Sequence, residues 1–195
     1  HDNPRPRTLQ SLLRRSEWFL VGSASKSVSA GLRLGWLVAP AARRRELDYL
    51  QYTQTTGAST LDQYALADYL ARGGHDRHLR KVRLAYAELT RRMRAKLLAE
   101  FPQGTLINVP AGGYLLWVTG PPALDAMALH ARAIAEGIAI FPGPLFSASG
   151  RFASSFRLNA AVAWTDALDG ALSRLAELAH EQLELSRSAL ATTST

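Results

Sequence analysis

Residues 22–36 read GSASKSVSAGLRLGW, a run of small side chains around a single lysine. The apolar residues before it, 18–21, and after it, 34–38, have the length and composition of two β-strands. In α/β proteins, ligands bind in loops at the ends of strands. The sequence therefore predicts two strands joined by a ligand-binding loop that contains Lys26.

The residue types in this loop favour a phosphate-bearing ligand. The small residues around Lys26 leave room for a cofactor, and the hydroxyls of Ser23 and Ser25 can bind phosphate oxygens. A buried lysine is readily deprotonated, as an amine that forms a Schiff base must be. Arg33 can return to the same loop as a phosphate anchor. A solvated surface lysine remains the alternative interpretation.

The loop also matches a pattern from a different enzyme class. Ser23 and Lys26 have the Ser-x-x-Lys spacing of penicillin-binding enzymes, in which the serine is the nucleophile. Those enzymes also need Ser-Asp-Asn and Lys-Thr-Gly tripeptides, and neither occurs in this chain. We therefore set the serine-nucleophile interpretation aside.

Composition excludes several classes of protein. Hydrophobic residues make up 47% and charged residues 20% of the 195 residues, which is typical of a folded globular chain. The absence of cysteine excludes disulfides, thiolate zinc sites and cysteine nucleophiles. No apolar run is long enough to span a membrane. The net charge of +7 permits binding to polyanions, although its arginine bias is also what a GC-rich genome produces.

The first six residues bear on the location of the protein and on whether further sequence precedes them. Residues 1–6 lack an initiator methionine and the basic-then-apolar layout of a signal peptide. We therefore expect a cytoplasmic protein in which further sequence precedes His1.

A long amphipathic helix is predicted near residues 76–100. Its other faces carry arginine and lysine, either as a nucleic-acid-binding stripe or, as the pattern favours, as a solvated face. His75 and His78 are spaced as a metal-binding pair, but only Asp76 lies nearby and it suits a helix start, so we expect no metal site. The apolar stripe of the helix consists of Leu79, Val82, Tyr86, Leu89, Met93 and Leu97.

Shorter helices are predicted before the long one. Residues 8–15 can form a short helix, and Pro40 suits the first turn of a helix that ends near Thr55. Residues 60–63, TLDQ, fit a capping box that opens a further helix ending near Gly73.

After the long helix the pattern changes to short strands and helices. Tyr114 and Trp117 alternate along an apolar strand, which predicts that both are core residues. The polar tail, residues 186–195, is predicted to be disordered. The chain is therefore α/β, with predicted domains at 1–100 and 101–185. The predicted strands are 105–109, 114–118, 138–141 and 155–159, and the predicted helices are 124–136 and the segment that Thr165 caps.

Arg157 lies inside a short apolar strand, residues 156–159. A cation there is costly unless it is paired or faces a ligand. It can either form a structural ion pair or bind a carboxylate in a bidentate manner, and the sequence alone leaves both open.

Three separated motifs together resemble the C-terminal half of fold type I pyridoxal-phosphate enzymes, the aspartate aminotransferase superfamily. They are residues 22–36, residues 110–118, PAGGYLLWV, and residues 156–159, FRLN, in the order and spacing of that family. The resemblance extends over residues 4–181. It implies a pyridoxal-phosphate-dependent transferase fold, as a large-domain remnant followed by a small α/β domain.

The resemblance also implies roles for individual residues. Lys26 matches the lysine that forms the Schiff base with pyridoxal phosphate in that family. Ser23, Ser25 and Arg33 match the residues that hold the cofactor's phosphate. Arg157 matches the arginine that binds the α-carboxylate of the substrate.

Within the superfamily, residues 73–86, GGHDRHLRKVRLAY, resemble the MocR branch of GntR-type bacterial regulators. Such proteins join an N-terminal winged helix-turn-helix to an aminotransferase-like domain that binds pyridoxal phosphate. The resemblance implies the effector domain of a DNA-binding transcriptional regulator. The alternative is a stand-alone aminotransferase similar to 2-aminoadipate and kynurenine aminotransferases, and whether transamination occurs is left open.

The same resemblance implies the partners. We expect an amino acid or 2-oxo acid as ligand, a homodimer as the assembly, and no membrane. DNA would be bound through a winged helix that precedes His1. The residues that contact the cofactor's pyridine ring would also precede His1.

Overall fold

The structure is a computed structural model that describes residues 7–13 and 16–193, with side chains to residue 188. The chain divides into two compact units, residues 2–82 and 83–195, called the N-terminal and C-terminal units below. The predicted boundary at residue 100 stays a prediction. No helix in the described residues combines the length and apolarity needed to cross a membrane.

The N-terminal unit contains the two strands predicted on either side of the lysine loop. After a short helix, α1 (Leu9–Leu12), they are β1 (Leu20–Ser23) and β2 (Gly35–Val38), which pair antiparallel with Ser23 opposite Gly35. Two glycines permit this pairing. A β-carbon on Gly22 would lie 2.1 Å from the Trp36 ring, and one on Gly35 would lie 2.8 Å from the Gly22 carbonyl oxygen.

Two helices follow the strands, as predicted. They are α2 (Arg44–Thr55), which a 3-10 turn precedes, and α3 (Thr60–Ala71). The predicted capping residue of α3 was wrong by one position. Ser59, not Thr60, caps the helix, and its hydroxyl accepts a hydrogen bond of 3.4 Å from the Asp62 N–H. Gln63 instead donates its side-chain amide to the Ala58 carbonyl at 2.9 Å.

The long helix, α4 (Gly74–Glu100), confirms the predicted apolar stripe. Its end packs most tightly, since Met93 and Leu97 are 2% and 1% exposed. Lys96, predicted to lie on a solvated face, is largely buried. Its ammonium donates to Glu100 at 2.7 Å and to Asp169 at 2.9 Å, because α4 lies against another helix there.

The C-terminal unit is a four-stranded antiparallel sheet with helices. The strand order is β3-β4-β6-β5. The elements are β3 (Leu106–Ile107), β4 (Leu115–Thr119), α5 (Ala126–Ala135), β5 (Phe141–Pro142), β6 (Ser155–Asn159) and α6 (Asp166–Thr193).

The strand predicted at 138–141 was largely wrong. The Ile138 N–H donates to the Ala133 carbonyl at 2.8 Å and so completes the end of α5 instead of a sheet ladder. Gly137, with φ of 77°, makes the necessary turn. Only Phe141 and Pro142 pair with β6, and a 3-10 helix, Gly143–Phe146, follows at once.

The core of the C-terminal unit lies on one face of the sheet. Leu116 and Val118 of β4 and Phe156 and Leu158 of β6 point to this face and are at most 7% exposed. The prediction that Trp117 is a core residue was wrong, because the alternation of β4 directs it to the opposite face. The helices add Met93, Leu97, Leu129, Ala133, Leu172, Leu175, Leu178, Ala179 and Leu183 to the core.

The tail predicted to be disordered is helical. α6 continues through Thr193, and residues 194–195 lie outside the described residues. The serines that indicated disorder satisfy their hydroxyls within the helix. Ser186 donates to the Gln182 carbonyl and Ser188 to the Glu184 carbonyl, both at 3.0 Å.

Candidate functional site

The lysine loop is built around the backbone of Ala24. This residue is 1% exposed, and its N–H donates to the Leu34 carbonyl at 2.9 Å, which extends the β1–β2 ladder by one pair. Its carbonyl accepts the N–H groups of residues 27–29 at 3.3, 2.8 and 3.2 Å. The chain is thus wound into a tight turn, with Lys26 at its outer side.

The return of the loop fixes the position of Arg33. A 3-10 helix, Ala30–Leu32, begins at Ser29, whose hydroxyl accepts the Gly31 N–H at 3.3 Å. Arg33 ends this helix with φ of 52°, in the left-handed region, and the chain then enters β2. Because Ala24 bonds to Leu34, Arg33 and the segment from Ser23 to Lys26 lie at the same end of the hairpin.

The candidate side chains of this loop are open to solvent. Lys26, Ser23 and Arg33 are exposed, and Ser25 is half-buried. The Ser23 hydroxyl accepts the Ser25 N–H at 3.2 Å. Within the described part of the unit, no carboxylate lies within 4.0 Å of Lys26 or Arg33. The loop therefore presents two cations and two hydroxyls without a counter-ion, a set that suits an anion such as a phosphate.

The Lys26 side chain is exposed, whereas the sequence-based prediction assumed a buried amine. Ala24 and Leu34 in the same loop are buried, but the lysine side chain is exposed. The roles assigned to Ser23, Ser25, Lys26 and Arg33 stay predictions.

Arg157 lies in the middle of β6 in the C-terminal unit, on the sheet face opposite the core. Its register partners are Trp117 on β4 and Phe141 on β5. The guanidinium carbon is 4.8 Å from the ring centroids of both Phe141 and Phe146. Trp117 contacts Phe146 and Phe152 edge-on, with centroids 5.6 and 5.4 Å apart. We call Trp117, Phe141, Phe146 and Phe152 the aromatic cluster.

The charge of Arg157 is not neutralised by a neighbouring carboxylate. No carboxylate in residues 83–188 lies within 4.0 Å of it. Arg132 and Arg174, also part-buried, instead bind Glu181, and Arg174 donates twice to Glu136. Hydrogen bonds from Arg174 hold the pKa of Glu136 and of Glu181 below the usual value. Within residues 83–188, therefore, Arg157 does not form the structural ion pair that was one of its two interpretations.

Sequence reasoning missed the aromatic cluster. Phe146 and Phe152 lie in segments without periodicity, and Trp117 was assigned to the core. The available signal was the pairing of residues 114–118 with 156–159, since alternation from the buried Phe156 and Leu158 puts Arg157 and its strand neighbours on the other face.

Known proteins resemble this chain over most of its length. The family model "Aminotransferase class I and II" matches residues 3–175. The uncharacterized HTH-type transcriptional regulator YdcR of Escherichia coli is 36% identical over 161 residues, which cover 83% of this chain and 34% of YdcR. The 2-aminoadipate transaminase of Thermus thermophilus is 32% identical over 139 residues, 71% of this chain and 35% of that protein.

Solved structures of aminotransferases also resemble this chain. The kynurenine aminotransferase of Pyrococcus horikoshii, solved in complex with PMP, superposes with a TM-score of 0.77 at 28% identity. The match covers 85% of this chain and 41% of that one. The chain thus spans about a third to two fifths of the length of these three relatives.

Proposed function

Because the chain belongs to the aminotransferase class I and II family, we propose that it forms the C-terminal part of a pyridoxal-phosphate-binding effector domain in a GntR/MocR-type transcriptional regulator. The fold is that of fold type I aminotransferases. The observation that carries the proposal is the loop of residues 22–36, which presents an amine, two hydroxyls and a guanidinium with no counter-ion among the described residues. The identity of 36% to an HTH-type regulator supports the regulatory assignment.

The residues of the loop fit pyridoxal phosphate. Lys26 would hold the cofactor covalently through Nζ, and the hydroxyls of Ser23 and Ser25 would bind its phosphate together with Arg33. The structural support is the shared position of these four residues at one end of the β1–β2 hairpin and the unneutralised charge of both cations. When bound, the cofactor supplies an electron sink for chemistry at the α-carbon of an amino acid.

Lys26, Arg33 and Arg157 would each have a separate role. Lys26 carries an amine, and a lysine that is not protonated can take a proton from a ligand carbon and return it. Arg33 would balance the charge of the phosphate. Arg157 would bind the ligand's carboxylate, because a guanidinium with no carboxylate partner among the described residues can form two parallel hydrogen bonds to it.

A regulator and an enzyme would use the same residues differently. A regulator needs only that ligand or cofactor binding shifts the population of two domain arrangements. A stand-alone aminotransferase must turn over, and the identity of 32% to a 2-aminoadipate transaminase favours that second candidate. For the regulator we propose a cytoplasmic homodimer that binds DNA through an N-terminal winged helix and takes an amino acid or 2-oxo acid as ligand.

Cofactor attachment is tested in the full-length product of the gene that encodes these residues. Adding pyridoxal phosphate should give an absorbance band near the edge of the visible range. Borohydride reduction should then fix the cofactor, and peptide mapping should find it on Lys26. Lys26→Ala should abolish both signals, while the exposed Lys81→Ala on α4 serves as the matched control. A protein that stays colourless with excess cofactor, or carries the label on another lysine, would contradict the assignment.

The two candidate functions are separated by turnover. Mixed with an amino acid donor and a 2-oxo acid, a regulator should release new amino acid at no more than the rate of its Lys26→Ala variant. It should also retard promoter DNA from its own locus in a gel. Sustained transamination without DNA binding would assign the enzyme instead.

A further inference from the structure

The aromatic cluster places exposed rings around a cation. Phe141, Phe146 and Phe152 are 51%, 44% and 41% exposed, whereas Phe156, on the core face of the same sheet, is 0% exposed. Contiguous apolar surface of this kind is usually a binding site in a folded protein. Its centre is Arg157, so the surface combines one positive charge with several ring faces.

Neighbouring backbone holds the cluster in place. The 3-10 helix that ends with Phe146 begins at Gly143, where a β-carbon would lie 2.4 Å from the Phe152 carbonyl oxygen. Phe152 itself has φ of 67°, a left-handed conformation that is unfavourable for a bulky residue. Such a conformation persists only where the surroundings determine it. The rings are thus positioned before any ligand binds.

The contacts of Arg157 decide what the cluster can bind. Ring faces attract the guanidinium but do not neutralise it, so its charge stays available to a carboxylate. The rest of that ligand then lies against rings. An apolar or aromatic group gains from burial there, while a second carboxylate would lose water without gaining a partner. A second cation beside the cluster is Arg151, whose guanidinium lies 5.1 Å from the Phe152 ring, but it is exposed and would therefore contribute little to binding a second carboxylate.

From this arrangement we propose that the aromatic cluster is a specificity subsite that selects monocarboxylic amino or 2-oxo acids with an aromatic or large apolar side chain over small or dicarboxylic ones. The proposal rests on the proposed function, in which Arg157 binds the ligand's carboxylate. Phe146 is the residue expected to matter most, because it contacts both Arg157 and Trp117.

The test uses three simple carboxylates as probes of the full-length gene product. Propionate, 3-phenylpropionate and adipate compete with a fluorinated phenylpropionate that is followed by ¹⁹F NMR. Burying one ring face, roughly 60 Å² of apolar surface, corresponds to about a tenfold gain in affinity. We therefore expect 3-phenylpropionate to bind about tenfold more tightly than propionate and more tightly than adipate.

Variants separate the subsite from the carboxylate site. Phe146→Leu should remove most of the advantage of 3-phenylpropionate over propionate. Tyr64→Leu, at a ring that is 73% exposed on α3, is the matched control and should change neither. Arg157→Lys should weaken every probe.

The other possible results separate failure of the subsite proposal from failure of the carboxylate role of Arg157. If all probes bind equally well but all depend on Arg157, the substrate class is wrong and the carboxylate site stands. Tighter binding of adipate than of 3-phenylpropionate would also overturn the proposal and would assign a dicarboxylate site. If no probe responds to Arg157→Lys, the carboxylate role itself is wrong. The probe series on the unchanged protein decides the question even if Phe146→Leu folds poorly.

Discussion

Replacing Gly143 with alanine should destabilise the C-terminal unit, whereas the same change at Gly170 should not. Gly143 is buried at the junction of β5 and the following 3-10 helix. A β-carbon at this position would lie 2.4 Å from the Phe152 carbonyl oxygen and 2.7 Å from the Ser155 carbonyl oxygen. Backbone oxygens cannot rotate away as a flexible side chain can, so the edge of the sheet must move.

The size of the effect follows from these two contacts. Inserting one methyl group into a packed interior usually costs 1–3 kcal/mol. Because the two shortest contacts at Gly143 are with backbone and both lie below 3.0 Å, we expect the upper end of that range, about 3 kcal/mol. For a domain of this size, that lowers the melting temperature by roughly 10 °C. The shift of the 3-10 helix should also reduce the preference for 3-phenylpropionate over propionate, since the helix carries Phe146.

Gly170 supplies the control for this experiment. It lies in α6, and a β-carbon there would meet no atom within 4 Å. Alanine in a helix is favoured over glycine by about 0.5–1 kcal/mol, so this variant should be slightly more stable. Urea unfolding followed by far-UV circular dichroism measures both. Equal midpoints for Gly143→Ala and the unchanged chain would show that the junction adapts freely and would refute the packing argument.

Three further predictions use the same unfolding measurement. Phe156→Ala, at a fully buried core position, should cost about 3–5 kcal/mol, while Leu185→Ala, at a side chain that is 67% exposed, should change stability by less than about 0.5 kcal/mol. Thr90→Val should stabilise by about 1 kcal/mol, because the buried Thr90 hydroxyl has no partner among the described residues. Arg174 lowers the pKa of Glu136, so that pair stabilises the fold above pH 4.5 and its contribution is lost as pH falls further. The stability difference between the unchanged chain and Glu136→Gln should therefore shrink on acidification, and a constant difference would contradict it.

Elements set by local pattern were predictable from the sequence. The stripe of α4 and the strands on either side of the lysine loop follow from spacing alone, and the structure confirms them. The segment 138–141 was not predictable in this way. Its residues are apolar enough for a strand, but the Ile138 N–H is used at the end of α5, which depends on how Gly137 turns the chain.

The two candidate sites differ in the same way, since only one of them could be predicted from the local sequence. The lysine loop is continuous in sequence, so its residue types could be read together. The aromatic cluster comes from several separate segments that meet only because β4 and β5 both pair with β6. Which face of β4 carries Trp117 depends on burial of Leu116 and Val118, and a single apolar strand does not reveal this.

The backbone conformation and the side chain of Arg33 have different explanations. Its φ of 52° is a conformation that glycine adopts without steric cost, so the backbone of the loop does not require an arginine there. The side chain is exposed, and within the described part of its unit no carboxylate lies within 4.0 Å of it, so it forms no ion pair that would offset the strain. A left-handed residue is an ordinary way for a helix to end, and Thr56 at the end of α2 has the same conformation, with φ of 55°. The exposed guanidinium, which has no carboxylate partner among the described residues, therefore supports the proposal that the loop of residues 22–36 binds an anion, and this support does not depend on family resemblance.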